Sequence, residues 1–299
     1  MLRVNLFLVG YKGFDALKHI LSHVDLKFIN SVVIGQDQGV SNDFSSELID
    51  LCSTFNLAYQ IRDQEYQANL TGQSDVIALC IGWKWILPVD QMIIVLHDSL
   101  LPRYRGFAPL VSQLIAGETC IGVTAIQATE NYDCGPIICT HSIPIAYPIK
   151  ISVAIKQITA CYRACVDTVF AYIESSTDFP LEVQDESLAT YSLWRDHSDY
   201  FVNWSSNSSF IKRFVDAVGD PYDGAMALLN GQQIKIHDVE IVSDVIIANR
   251  VPGKVIFMRE GCPVVVCGTG LVKIIQASTL DGKSTVSYTH LTLPTILRV

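Results

Sequence analysis

The chain has 299 residues, of which 49% are hydrophobic, and its 21 Lys and Arg against 30 Asp and Glu give a formal net charge of −9. That length points to two domains, because single cores seldom grow past about 250–300 residues, and a mean hydropathy of +0.31 excludes a disordered protein. The acidic balance argues against a nucleic-acid partner, which calls for a basic patch, and no apolar run reaches the roughly 18 residues of a membrane span, since Asp75, Lys84 and Asp90 interrupt the most hydrophobic region.

Val4–Val9 reads as a buried first strand running into the turn Gly10-Tyr11-Lys12-Gly13. The opening residues lack the charged stretch of a leader peptide. The turn is not Gly-x-Gly-x-x-Gly, so a tight βα turn is expected there rather than a dinucleotide loop. A helix near Phe14–His23, a strand at Phe28–Ile34, a helix near Phe44–Asn56 and a strand at Val76–Ile81 follow. This alternation predicts an α/β fold with a Rossmann-like parallel sheet. Met92–Leu96 and Ile121–Ala128 are further strands, and each ends in a loop rich in chemistry: His97 to Gly106, and Asn131 to Pro136. Open α/β sheets gather functional groups at the carboxyl ends of their strands, so the two loops are expected to share one crevice. A strand at Ile137–Ile145 and a long helix from Ser152 to Ser175 come next, the helix carrying an apolar stripe of Val153, Ile155, Ile158, Val166, Val169 and Phe170.

Ser176 to Ser187 reads as a linker. From Tyr191 the character changes to a short helix near Phe210–Val218 and short strands at Gln233–Val239, Gly253–Met258, Val264–Val266 and Leu271–Ile275. Such strands, punctuated by Gly and Pro, predict a small β-barrel. The stretch 284–299 continues neither pattern and is expected to be a non-native or unstructured tail. Nine cysteines scattered through apolar runs, without a Cys-x-x-Cys pair, suit a reduced cytoplasm. Cys161 and Cys165 stand one helical turn apart, yet with no matching pair they are expected to be small core residues, and no metal is expected.

The two loops carry a resemblance. Val95-Leu96-His97-Asp98-Ser99-Leu100-Leu101-Pro102, with Asp133-Cys134-Gly135 downstream, is similar to the Asn-x-His-x-Ser-Leu-Leu-Pro and Asp-x-Gly elements of the N10-formyltetrahydrofolate-dependent formyltransferases, which include methionyl-tRNA formyltransferases and sugar N-formyltransferases. Asp199 to Trp204 and Pro221 to Ala225 resemble the OB-like carboxyl-terminal domain attached to many of them. The resemblance implies a catalytic domain over residues 1–178, an OB-like domain over 190–277, and N10-formyltetrahydrofolate as cosubstrate. It places His97 and Asp133 on two members of the family's Asn-His-Asp set and puts Val95 where the asparagine stands.

The residue chemistry agrees. An amine attacking a formyl amide must shed a proton while the departing nitrogen gains one, so a group able to do both near neutral pH is needed, and His97 is the natural candidate. Asp133 would orient its ring or position a relay water. A preorganised oxyanion donor is worth about 10²–10³ in rate, and Val95 has none to offer from its side chain. Either protonated His97 with a backbone N–H carries the oxyanion, which is favoured, or Ser99, Asn131 or Asp98 compensates, or catalysis is impaired and the chain binds folate alone.

By the same resemblance Trp85, Ile86 and Leu87, with Asn131 and Tyr132, would bind the folate; two tryptophans in Gly82 to Pro88 suit a flat heterocycle, or equally serve as lid or core residues. Ser99, Arg103, Tyr104 and Arg105 would meet the second substrate, the arginines facing an anionic group or merely closing the loop. The expected reaction is formyl transfer to a small amine, foremost a nucleotide-linked amino sugar, in a cytoplasmic protein with a homodimer left open. The alternatives are methionyl-tRNA formylation, hydrolysis of formyltetrahydrofolate, and folate binding without turnover.

Overall fold

The computed structural model describes residues 1–62, 75–87, 92–284 and 297–298. The first elements are β1 (Arg3–Leu8), α1 (Gly10–His23), β2 (Ile29–Ile34), α2 (Ser45–Thr54), β3 (Tyr59–Ile61), β4 (Val76–Ile81), β5 (Ile93–His97), β6 (Arg105–Gly106) and α3 (Pro109–Ala116). Then come β7 (Cys120–Gln127), β8 (Ile137–Pro144), α4 (Ile151–Ser175), β9 (Tyr191–Ser192) and α5 (Ser208–Ala217). The last strands are β10 (Ala225–Leu229), β11 (Gln232–Val242), β12 (Val255–Arg259), β13 (Cys262–Val266), β14 (Leu271–Thr279) and β15 (Leu297–Arg298). The chain divides into two units, one of Met1–Leu110, Thr119–Ile145 and Val153–Leu193, the other of Val111–Glu118, Ala146–Ser152 and Trp194–Val299.

The first unit is built on a seven-stranded sheet of order β3-β2-β1-β4-β5-β7-β8. The first five strands in that order are parallel. Every residue of β4 is buried, as are Leu6, Phe7 and Leu8 of β1, so the centre of the sheet is covered on both faces and its strands read as unbroken apolar runs. Parallel pairing does not extend to the end: β7 runs antiparallel to β5, and β8 antiparallel to β7. The turn between β7 and β8 is too short for a crossover helix, which dictates the second of these reversals. The edge strand β3 is exposed throughout and only three residues long, too short for its alternation to be read in the sequence.

On one face, α4 lays down a stripe of Ala154, Ile158, Cys161, Tyr162, Cys165, Val166, Val169 and Ile173, spaced three or four residues apart as an amphipathic helix requires. His19 meets Asp167 at 2.6 Å and Arg163 meets Asp15 at 3.5 Å, tying α1 beside α4. On the other face Phe7, Val33, Ala78, Cys80 and Ile93 form a core patch against which Trp83, Leu87, Val95 and Ala128 pack.

The second unit is a six-stranded sheet of order β12-β13-β14-β11-β10-β15, its described ladders all antiparallel. α5 packs on β11 and β14 through Ile211, Phe214 and Val215, and Asn207 caps it by accepting from the Phe210 N–H at 2.7 Å. Of the tail, residues 285–296 and 299 lie outside the described residues, while Leu297–Arg298 pair with β10. Among the described residues no helix is long and apolar enough to cross a membrane.

Candidate active site

His97 is the last residue of β5 and only 7% exposed. Its Nε2 lies 2.9 Å from the Tyr104 carbonyl, which can only accept, so Nε2 carries a proton. The opposite nitrogen, Nδ1, faces Asp133 Oδ1 at 3.5 Å. An acceptor therefore stands at each nitrogen. The 3.5 Å separation is long for a hydrogen bond, and such catalytic contacts commonly tighten once substrate is bound.

Asp133 sits in the β7–β8 turn, and its second oxygen accepts from the Gly106 N–H at 2.7 Å. Its φ of +54° is left-handed, a conformation Asp tolerates better than most residues, and Tyr104 is left-handed too, at +60°. Gly135 follows because nothing else fits: a Cβ there would stand 1.7 Å from the Gln127 carbonyl oxygen. That close approach brings the Asp-x-Gly turn back over the end of β7.

The loop from His97 to Gly106 is fixed by its own hydrogen bonds. Ser99 is wholly buried and donates to the Arg103 carbonyl at 2.7 Å, while Thr124 donates to the Ser99 carbonyl at 2.6 Å and accepts from the Leu101 N–H at 3.1 Å. Ser99 thus holds the loop. Asp98 points to the α4 side of the sheet, bonded to Lys12 and the Tyr162 hydroxyl.

Arg105 turns inward instead of facing an anionic ligand. It is 1% exposed and donates to Gln184 Oε1 from Nε and Nη2, at 3.1 and 2.8 Å, and to both Glu186 oxygens at 2.8 and 2.7 Å. Bonding to Glu186 holds the guanidinium above its already high range, and the guanidinium pulls the Glu186 carboxyl below the usual carboxylate range. Gln184 then donates to the Asp133 and Gly135 carbonyls at 2.8 and 2.7 Å. The stretch that reads as a linker is therefore a brace. Glu182 bridges to Ile137, and β9 pairs with β6. A polar sequence conceals this, because the buried groups it satisfies are main-chain carbonyls.

Val95 shares the His97 face of β5, half-buried against the patch that includes Trp83 and Leu87. The Trp83 indole N–H is buried and has no hydrogen-bond partner among the described residues. Trp83 meets Trp85 edge to face at 4.8 Å, and Arg62 lies 4.3 Å from the Trp85 ring centroid. Gly35 leaves room for that ring, since a Cβ there would fall 2.4 Å from it. Ile86 is 79% exposed and Leu87 half-buried. Asn131 and Tyr132 are exposed, and the Tyr132 ring lies 6.5 Å from Phe107, which follows Gly106. Arg103 is exposed, with its guanidinium 5.3 Å from the Tyr104 ring centroid. Gln184, Glu186, Thr124 and the Gly106 N–H escape sequence reasoning, because none stands in a recognisable spacing.

The formyl transferase family model matches residues 42–157, and that of the formyl transferase C-terminal domain matches 195–291. A methionyl-tRNA formyltransferase of Sorangium cellulosum is 26% identical over 232 residues, 73% of this chain and 71% of its own length. An N-formyltransferase from Helicobacter canadensis, solved with folinic acid and dTDP-3-aminofucose, superposes with a TM-score of 0.66 at 18% identity, covering 93% of this chain and 100% of that one. HypX from Aquifex aeolicus, solved with tetrahydrofolic acid, gives a TM-score of 0.60 at 17% identity over 94% of this chain, which spans only 45% of HypX. With its amino-terminal and carboxyl-terminal parts both matched, this chain belongs to the formyl transferase family.

Proposed function

We propose that the chain transfers the formyl group of N10-formyltetrahydrofolate to the amino group of a nucleotide-linked amino sugar. The observation that carries formyl transfer is the closure of His97 on Asp133 at the carboxyl end of β5. When bound, the folate supplies an activated formyl carbonyl. The residues fit such a ligand: an unpartnered, buried indole N–H at Trp83 lies beside the apolar walls of Trp85 and Leu87, as a flat heterocycle with acceptor atoms requires.

His97 is oriented by the Tyr104 carbonyl, so its Nδ1 edge is the one that exchanges protons with the reacting atoms. Asp133, anchored by the Gly106 N–H, stabilises the imidazolium and takes up the proton shed by the attacking amine, directly or through a water. Protonated His97 supplies the positive charge that the family asparagine would otherwise complement, since Val95 offers none. The nucleotide preference rests on the net charge of −9 and on exposed Phe107, which follows Gly106 and offers a ring on which a base can stack.

A second reading, formylation of methionyl-tRNA, is favoured by curated relatives such as the Sorangium cellulosum protein. Tetrahydrofolate release by the purified chain, assayed with dTDP- and UDP-linked amino sugars and with methionyl-tRNA in parallel, separates the two. Turnover that depends on a sugar supports the proposal; turnover with methionyl-tRNA alone replaces it with the second reading; tight folate binding with neither leaves a binding protein.

A further inference from the structure

Cys139 and His141 stand two residues apart on β8 and so share one face of that strand. Their neighbours Thr124 and Thr140 face the other way, with hydroxyls 3.4 Å apart on the His97 side of the sheet. Cys165 reaches the same place from α4, and the ligand atoms of Cys139, His141 and Cys165 lie within 4.8 Å of one another. Cys165 is buried and the other two are half-buried. All three groups stand apart from the proton-transfer pair.

We infer that Cys139, His141 and Cys165 form a binding site for a thiophilic divalent cation of the zinc class, clamping the edge strand β8 to α4. Two sulfurs and an imidazole nitrogen are the donor set such a cation prefers, and hard oxygen-seeking cations are excluded by the same set. In a tetrahedral site these donors stand about 3.5–3.8 Å apart, so the cluster closes on the ion by small side-chain rotations. Both thiols lose their protons to solvent as two metal–sulfur bonds form, no electron changes hands, and two thiolates neutralise the dication, which suits a buried position. His141 gives up its 3.3 Å contact with the Thr168 hydroxyl if Nε2 is the ligand, and water takes the fourth position. Sequence spacing hides the set, because Cys-x-His is not a metal-type pair and the third ligand arrives from a helix.

The test uses the full chain, purified with reductant, stripped with a chelator and titrated with cobalt(II). The expected result is one equivalent bound, with a thiolate-to-cobalt charge-transfer band in the near ultraviolet that zinc(II) displaces. Cys139→Ser and His141→Asn remove or strongly weaken the band, while Cys262→Ser, which lies outside the cluster, keeps it. The half-buried position of Cys139 leaves that variant free of the packing defect that Cys165→Ser risks, and its circular dichroism is compared with the parent. Absence of the band in the parent protein overturns the inference. So does its persistence in Cys139→Ser, or a Cys139–Cys165 disulfide in the freshly reduced and isolated chain.

Discussion

Gln184→Ala probes whether the brace behind the active site positions Asp133. The side chain is 5% exposed, and its amide donates to two carbonyls, those of Asp133 and Gly135, while its oxygen accepts from Arg105. Each lost hydrogen bond costs about 1 kcal/mol, and each buried carbonyl left without a donor about 1–3 kcal/mol, partly recovered by entering water. The expected loss is roughly 2–4 kcal/mol in stability. The turn carrying Asp133 is then free to shift, and a displacement of about 1 Å at a catalytic group lowers turnover on the order of 10²-fold. Gln184→Glu keeps an acceptor for Arg105 but has no donor for the carbonyls, so it follows Gln184→Ala in kcat. Glu186→Gln, at an exposed position, leaves kcat near the parent value. Urea midpoints at unchanged slope give the stability, and steady-state release of tetrahydrofolate gives kcat and KM, with the folate KM expected to hold. A Gln184→Ala protein with parental midpoint and kcat within about twofold refutes the brace.

The remaining expectations concern the pair, its neighbour and the second unit. His97→Gln and Asp133→Asn each lower kcat by about 10²–10⁴-fold while folate binding, followed by tryptophan fluorescence, persists; near-parental turnover in either removes that residue from proton transfer. Val95→Asn raises or preserves the rate, because it restores an amide donor where the family carries asparagine; a collapse of activity with the fold intact shows a pocket packed around valine. His237 stands at a bulge in β11 and is held below its ordinary range by burial first, then by Lys235 and Lys150. The unfolded chain therefore takes up the proton first, so the contribution of His237 to stability is full above about pH 6.5 and is lost as pH falls below it. His237→Asn should flatten that part of the urea-midpoint profile between about pH 7.5 and 5, and an unchanged profile would sink the assignment.

The buried strands were legible because a sheet covered on both faces demands unbroken apolar runs, as in Val76–Ile81. The long helix was legible from the three-and-four spacing of Ile158, Val166 and Val169. β3 was not, because its residues are exposed and its existence depends on pairing with β2. The reversal of β8 against β7 depends on the length of a turn, which apolar patterning does not report. In the candidate site, His97 and Asp133 stand out because their spacing is chemical. For Arg105 anion binding and loop closure were both open, because a guanidinium beside a site suits either, and only the chain coming back through Gln184 reveals that its hydrogen bonds are spent internally. The polar segment after Ser175 hid its role for the same reason.

Two residues at the heart of the site, Tyr104 and Asp133, hold left-handed backbone torsions that L-residues adopt at a cost of about 1 kcal/mol each. That cost is offset by the chain returning alongside the site, the Tyr104 N–H donating to the Thr190 hydroxyl at 2.9 Å and Gln184 donating to the Asp133 carbonyl at 2.8 Å. On warming, loss of these few hydrogen bonds should release the two turns before the sheet beneath them melts. Heat inactivation would then be an early and reversible event, separate from denaturation, and a cooled sample would recover its turnover without having refolded.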